Sequence, residues 1–340
     1  MGRTEWRVAK RVAAAAVLGG GGIGVLTGGA IGLIAAEAKL ARRAIGLPKG
    51  DPPRADGVYG AWHAAPGVAV LRLAVLGDSS AAGYGVTESA RTPGALLASG
   101  LAEAASCPVR LHNAAKVGGR SADLERQVKL VLGTSEPPHV AVIMVGANDV
   151  THRVKLPEAV RSLGEAVRRL RTAGIEVVVG TCPDLGTIRP VAQPLRALGR
   201  RWSRKLAAAQ TITVVQAGGR TVSLGSLLGP EFDARPEDMF GPDRFHPSAE
   251  GYAAAAMALL PSVAASLGCW PDNDATDAAL EPSRGEARLP LARAAVLAAR
   301  HGGTEVGREA GKAVGAGWAH LRHRRRRQIA EPGLPVNTVA

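Results

Sequence analysis

The stretch Leu71–Gly85, LRLAVLGDSSAAGYG, changes character within a few residues. Its first seven residues, apolar except for Arg72, read as a strand buried on both faces. They end on Gly77-Asp78-Ser79-Ser80 and a run of small residues. A plain structural turn needs one glycine and no exposed hydroxyl, so the hydroxyl at the strand tip calls for a reason. Gly77 permits a sharp turn, and the small residues let a helix start close beneath it. The stretch therefore reads as strand, tight turn and helix, with Ser79 presented at the sheet edge and Asp78 capping the turn.

Working outward, apolar runs occur at Val68–Leu76, Val109–His112, Val140–Val145 and Ile175–Gly180, with ITVV at 212–215 as a fifth. Amphipathic stretches between and after them predict helices at Pro93–Ala105, Ala122–Leu132, Pro157–Ala173, Pro194–Gln210 and Ser248–Leu267, several opened by proline or serine. This alternation predicts an α/β fold, a three-layer α/β/α sandwich around a five-stranded parallel sheet.

The flanks differ from this pattern. Ala13–Ala36 carries no charge and follows Arg3, Arg7, Lys10 and Arg11. At 1.5 Å per residue it is long enough to cross a hydrocarbon layer of about 30 Å. Two readings fit, a retained signal anchor or a secretory signal peptide cleaved at Ala36-Glu37-Ala38, and the length favours the anchor. Gly20, Gly24, Gly28 and Gly32 share one helical face, which suggests a helix-mediated homodimer. The chain thus divides into an N-terminal transmembrane segment (1–43), a Pro/Gly-rich linker (44–66), the α/β domain (67–268), and a polar loop, Ala-rich helix and basic tail (269–340). The expected location is membrane-anchored and extracytoplasmic, or secreted after cleavage; Lys39, Arg42, Arg43 and Lys49, close behind the run, weaken the charge asymmetry and leave a cytoplasm-facing domain open.

Composition narrows the function. Hydrophobic residues make up 46% of the 340 and aromatic residues only 3%, so the core must be built from Val, Leu and Ala. The formal net charge is +13. The basic residues are spread along the chain without a nucleic-acid motif, which argues against DNA or RNA as a partner. The run Arg322–Arg327 reads as a solvated tail or a contact with anionic lipid or polymer. Cys107, Cys182 and Cys269 form neither a disulfide framework nor a zinc motif, and Cys107 with Cys269 is the pair considered for one bridge. GGGGIG at 19–24 follows no strand and is not a dinucleotide fingerprint. No cofactor and no metal are expected.

Ligands on a parallel sheet gather beyond the carboxyl ends of its strands. Four segments there carry chemistry: Gly77-Asp78-Ser79-Ser80; NAAKVGGRSADL from Asn113; Gly146-Ala147-Asn148-Asp149; and GPDRFHPSAEGY from Gly241. Singly each is a common turn, but in this order, closing on Asp-x-x-His before a helix, they resemble the SGNH hydrolases, the GDSL esterases and lipases. The resemblance covers residues 68–267 and implies their flavodoxin-like fold. The residue after Gly-Asp-Ser is usually Leu or Ile in that family and is Ser80 here.

Nucleophilic catalysis explains why these residue types belong together. A serine hydroxyl needs a base within hydrogen-bond reach, and the base needs an orienting partner. Ser79 is the expected nucleophile and His246 the base. Asp243, three residues earlier, can reach the other imidazole nitrogen. The resemblance implies an oxyanion hole formed by the Ser79 and Gly118 backbone N–H groups and the Asn148 amide. Asp149 is expected to brace its loop, and Pro183, Asp184 and Leu185 follow the fourth strand as either pocket border or plain loop.

The implied reaction is hydrolysis of carboxylic esters, lipid or small acyl esters in preference to sugars, since Trp202 is one of few side chains able to stack on a sugar ring. An acyltransferase or a carbohydrate acetyl esterase would use the same triad, and a non-catalytic membrane-tethered binding protein is the remote alternative.

Overall fold

The protein is described here by a computed structural model covering residues 37, 40, 50–269 and 291–306. Its strands are β1 (Gly57–Tyr59), β2 (Leu71–Gly77), β3 (Val109–Asn113), β4 (Val140–Met144), β5 (Glu176–Gly180), β6 (Arg220–Val222) and β7 (Thr304–Glu305). Its helices are α1 (Ser79–Ala82), α2 (Pro93–Ala105), α3 (Leu124–Leu132), α4 (Ala147–Thr151), α5 (Leu156–Thr172), α6 (Leu195–Gln216), α7 (Leu224–Ala234), α8 (Pro236–Met239), α9 (Ala249–Ser266) and α10 (Leu291–Ala298). The strands form one mixed sheet in the order β1-β3-β2-β4-β5-β6-β7, with β1 antiparallel to β3 and every other pair parallel.

The central strands are apolar on both faces because helices cover both. Along β2, Leu73 and Val75 pack with α2 and α9, while Ala74 and Leu76 point the other way, toward α3 and α5. Along β4, Val140 and Val142 likewise oppose Ala141 and Ile143. This two-residue alternation divides the core into two layers. The helix starts follow their local chemistry. Thr92 accepts from Ala95 N at 3.3 Å, with Pro93 in the first turn of α2, and Ser248 accepts from Gly251 N at 3.2 Å at the start of α9.

Three features depart from the expected five-stranded parallel sheet. The sheet has seven strands, and its antiparallel edge strand β1 comes from the stretch read as linker. ITVV at 212–215 is not a strand but the end of α6, and the next parallel strand is β6. Tertiary packing overrides the β-branched propensity there: Val214 joins the sheet-facing core, while Ile212 and Val215 pack against Ala294 and Ala298 of α10. Finally, β7 returns from beyond Cys269 to pair with β6, and its Glu305 accepts from Ser262 Oγ at 2.9 Å. Cys107, Cys182 and Cys269 are all free thiols, so the bridge considered between Cys107 and Cys269 is not formed.

The expected transmembrane run Ala13–Ala36, its glycine face and the Arg322–Arg327 tail lie outside the described residues. Among the described residues no helix is long and apolar enough to cross a membrane. Glu37 is buried, and its Oε2 accepts from Leu195 N, in the first turn of α6, at 2.9 Å. Because α6 connects two parallel strands, it starts over the carboxyl rim of the sheet.

Candidate active site

The rim is shaped first by Gly77. Its φ is 137°, and a Cβ there would collide with the Met144 carbonyl, so only glycine lets β2 run this close to β4 and still turn. Asp78 then caps α1, accepting from Ser80 N at 2.9 Å, the role expected of it. Burial raises the Asp78 carboxyl to about 6, against the lowering effect of the Ser80 N–H and of His246. The cap leaves Ser79 as the first helical residue, with an N–H that has no intrahelical acceptor.

His246 and Asp243 arrive on the loop between α8 and α9. That loop is closed by Gly241 N donating to His246 O at 2.8 Å and by a Phe240–Pro247 bridge. His246 Nε2 lies 3.0 Å from Ser79 Oγ, and His246 Nδ1 lies 2.6 Å from Asp243 Oδ2. The other Asp243 oxygen accepts from Phe245 N and His246 N, each at 3.0 Å. Burial pushes the Asp243 carboxyl up, but the His246 hydrogen bond and the two backbone donors outweigh it and hold the group below its ordinary value. The rings of Tyr84 and Phe245 stand edge-on to the imidazole with centroids 4.9 and 5.0 Å away, and Tyr252 Oη donates to Tyr84 O at 2.6 Å. The imidazole is thus fixed on its sides as well as at both nitrogens.

The segments expected to supply the oxyanion hole meet at the same tip. Lys116 N donates to Gly77 O at 3.1 Å, and a Cβ on Gly119 would lie 2.9 Å from that oxygen, which brings the Asn113–Leu124 loop against the strand end. Asn148 Nδ2 donates to Gly119 O at 3.0 Å, joining the third segment to the second, and has a second hydrogen to offer. Gly118 has φ 73°, and its N–H has no partner among the described residues. Asp149 is buried and accepts from Ser121 N and Oγ at 2.9–3.2 Å, bracing both loops as expected. Asp184 does not face this site; it is held by Gly186 N at 2.8 Å and by Arg200 and Arg204 at 3.3 and 3.1 Å.

Two residues that motif reading missed hold these strand tips. Gln127 on α3 is buried, its Oε1 accepting from Gly77 N at 2.7 Å and its Nε2 donating to Gly77 O at 2.8 Å. Its carboxamide continues the β2 ladder past the point where β3 has departed. Gln210 on α6 does the same between two strands: Oε1 accepts from Cys182 N at 2.7 Å and Nε2 donates to Val145 O at 3.0 Å. A lone glutamine on a helix carries no signal in sequence that would reveal either splint.

A hydroxyl, an imidazole and a carboxylate in hydrogen-bonded series at the carboxyl rim of an α/β sheet is a hydrolase type of arrangement. The profile of the GDSL-like lipase/acylhydrolase family matches residues 75–254. A GDSL-like esterase of Mycobacterium tuberculosis is 46% identical over 238 residues, which cover 68% of this chain and 76% of that protein. The chain belongs to the GDSL-like lipase/acylhydrolase family and is a carboxylic ester hydrolase. Among solved structures, a lipolytic G-D-S-L family protein from Veillonella parvula aligns at 18% identity and TM-score 0.44, covering 56% of this chain and 97% of that one. TesA aligns at 24% identity and TM-score 0.45, covering 58% and 97%.

Proposed function

We propose that Ser79, His246 and Asp243 act as a catalytic triad on lipid or small acyl esters, with the Ser79 N–H, the Gly118 N–H and the Asn148 amide as the oxyanion hole. The observation that carries this reading is the unbroken series Ser79 Oγ, His246 Nε2, His246 Nδ1, Asp243 Oδ2, with links of 3.0 and 2.6 Å. In it, Ser79 Oγ attacks the ester carbonyl carbon as its proton passes to His246 Nε2. Asp243 stabilises the imidazolium that results. The carbonyl oxygen becomes an oxyanion, which the three proposed donors would stabilise. Collapse expels the alcohol, which takes the proton from His246. A water molecule, deprotonated by the same nitrogen, then releases the acid and restores Ser79.

Ser80 is the rival hydroxyl. Its backbone N–H is spent on Asp78, whereas the imidazole is aimed at Ser79. Steady-state kinetics on 4-nitrophenyl esters of increasing acyl length, with Ser79→Ala and Ser80→Ala beside the wild type, test the assignment. Ser79→Ala is expected to lose at least about a thousand-fold in kcat, and Ser80→Ala to stay near wild type; the reverse order overturns it.

Residues 13–36 would anchor this domain to a membrane with its active site outside the cytoplasm. The support for the anchor is the absence of charge over that run and the basic residues before it, while Lys39, Arg42, Arg43 and Lys49 after it balance the charge, so the orientation rests on the experiment. An alkaline phosphatase fusion after residue 43 reads the orientation, and activity only in a cytoplasmic reporter overturns it.

A further inference from the structure

Ser79 and His246 are 167 residues apart in the chain and reach the site on different segments, α1 and the loop before α9. One hydrogen bond between their side chains contributes too little to hold two segments in register, so the backbone beneath them must be tied. Such a tie passes through Tyr252. Its Oη donates to the Tyr84 carbonyl at 2.6 Å, and the Tyr84 N–H donates to the Ser79 carbonyl at 2.9 Å. At its other end Tyr252 lies early in α9, its N–H donating at 2.9 Å to the carbonyl of the capping residue Ser248, two residues after His246. We propose that Tyr252 is a positioning residue for ester hydrolysis, its hydroxyl fixing, through Tyr84, the separation at which the Ser79 oxygen meets the His246 imidazole. The inference rests on the triad reading above and adds to it the residue that keeps nucleophile and base in register.

The joint has little slack. Tyr252 is 1% exposed, so its phenol cannot swing out to water. Tyr84 meets the base a second way, through its ring, which stands edge-on to the imidazole at 4.9 Å. A Cβ on Gly85 would lie 3.1 Å from His246 Cβ and 3.4 Å from Pro247 O, so residues 84 and 85 press directly on the loop that carries the base. A displaced Tyr84 carbonyl would therefore disturb the imidazole's wall and the end of the nucleophile's helix together. Burial raises the Tyr252 hydroxyl well above its ordinary value, and Asp78 and Asp243 push it the same way, so it stays a neutral donor at working pH. Asp78 caps the nucleophile's helix and Asp243 holds the base, so this hydroxyl is within electrostatic reach of both halves of the site. The chain has three tyrosines, and two of them form this joint. The third, Tyr59, makes the same kind of bond elsewhere: its Oη donates to Ala55 O at 2.6 Å, beside the start of β3 and away from the carboxyl rim.

Tyr252→Phe, which removes the hydroxyl and keeps the ring, tests this beside Tyr59→Phe, which removes an equivalent bond far from the site. Each variant and the wild type are assayed on 4-nitrophenyl butyrate for kcat and KM. Each is also labelled with diethyl 4-nitrophenyl phosphate, a reaction that needs the nucleophile and its base but no turnover. The 4-nitrophenol released per protein counts the competent sites, so every rate is expressed per folded active site. Tyr252→Phe is expected to lower kcat and the labelling rate by about ten-fold each, with KM within about two-fold, since small displacements of reacting groups cost rate more than binding. Tyr59→Phe is expected to leave all three within about two-fold of wild type. Unchanged rates in Tyr252→Phe, a loss confined to KM, a lower kcat with normal labelling, or an equal loss in Tyr59→Phe each overturns the positioning role. Peptide mass spectrometry then separates the two readings. Label on Ser79 with an unaffected Tyr252→Phe overturns this inference alone, whereas label on another residue overturns the triad reading and this inference with it.

Discussion

Replacing Gln127 by leucine should loosen the nucleophile without touching it. The Gly77 N–H, bonded to Gln127 Oε1 at 2.7 Å, loses its acceptor. The Gly77 carbonyl loses the Nε2 donor but keeps Lys116 N. Leucine fills a similar volume, so the cost is that of one orphaned buried N–H rather than of a cavity, about 1–3 kcal/mol. Urea unfolding at pH 7 should register that loss as a lower midpoint with an unchanged slope. Ser79 is two residues further along the chain, and a shift of about 1 Å in a reacting group can cost 10²-fold. Turnover of 4-nitrophenyl butyrate below the unfolding range should therefore show kcat falling by about ten-fold or more, with KM little changed. A variant that is destabilised yet turns over at the wild-type rate would refute the positioning role. One as stable as wild type would refute the claim that Gly77 depends on this carboxamide.

Other perturbations probe the rest of the site. Burial holds Asp78 near 6, so the folded chain binds this proton more tightly than the unfolded chain does. The stability it contributes is full below about pH 4 and is lost as pH rises to 6, a difference of about 3 kcal/mol. Asp78→Asn keeps an acceptor for Ser80 N, removes that slope and should be the more stable protein at pH 8; urea midpoints between pH 4 and 8 check it. Asn148→Ala should reduce kcat by about 10²–10³-fold through loss of one oxyanion donor, with an unchanged circular dichroism spectrum. Asp243→Asn should lower kcat by about 10⁴-fold, because an amide neither fixes the same imidazole tautomer nor stabilises its cation; rapid-quench or steady-state kinetics at saturating ester will show it.

The parts of this molecule that were legible in the sequence are those in which chemistry and local structure coincide. Ser79, Asn148 and the Asp243–His246 pair sit immediately after strands or before a helix, where a sharp turn, a small residue and a reactive group must occur together. Likewise α2 runs from Pro93 to Ala105 as expected, because its cap, its proline and its apolar face all agree. The sheet edges were not legible. β1, β6 and β7 are two or three residues long, too short for a two-residue period to stand out. ITVV reads as a strand but is helical because Ile212 and Val215 are covered by α10 and Val214 by the sheet-facing core, which no local pattern announces. Gln127 and Gln210 were invisible for a related reason. Their role depends on which backbone groups the completed fold leaves unpaired.

The contact between Glu37 and the head of α6 has a mechanical meaning. Glu37 meets the domain at the end where Ser79 lies, so a tether fixed at that glutamate would hold the catalytic mouth toward whatever it is moored to. Esters dissolved in a bilayer would then meet the nucleophile at an effective concentration in the millimolar range, set by the tether instead of by diffusion through water.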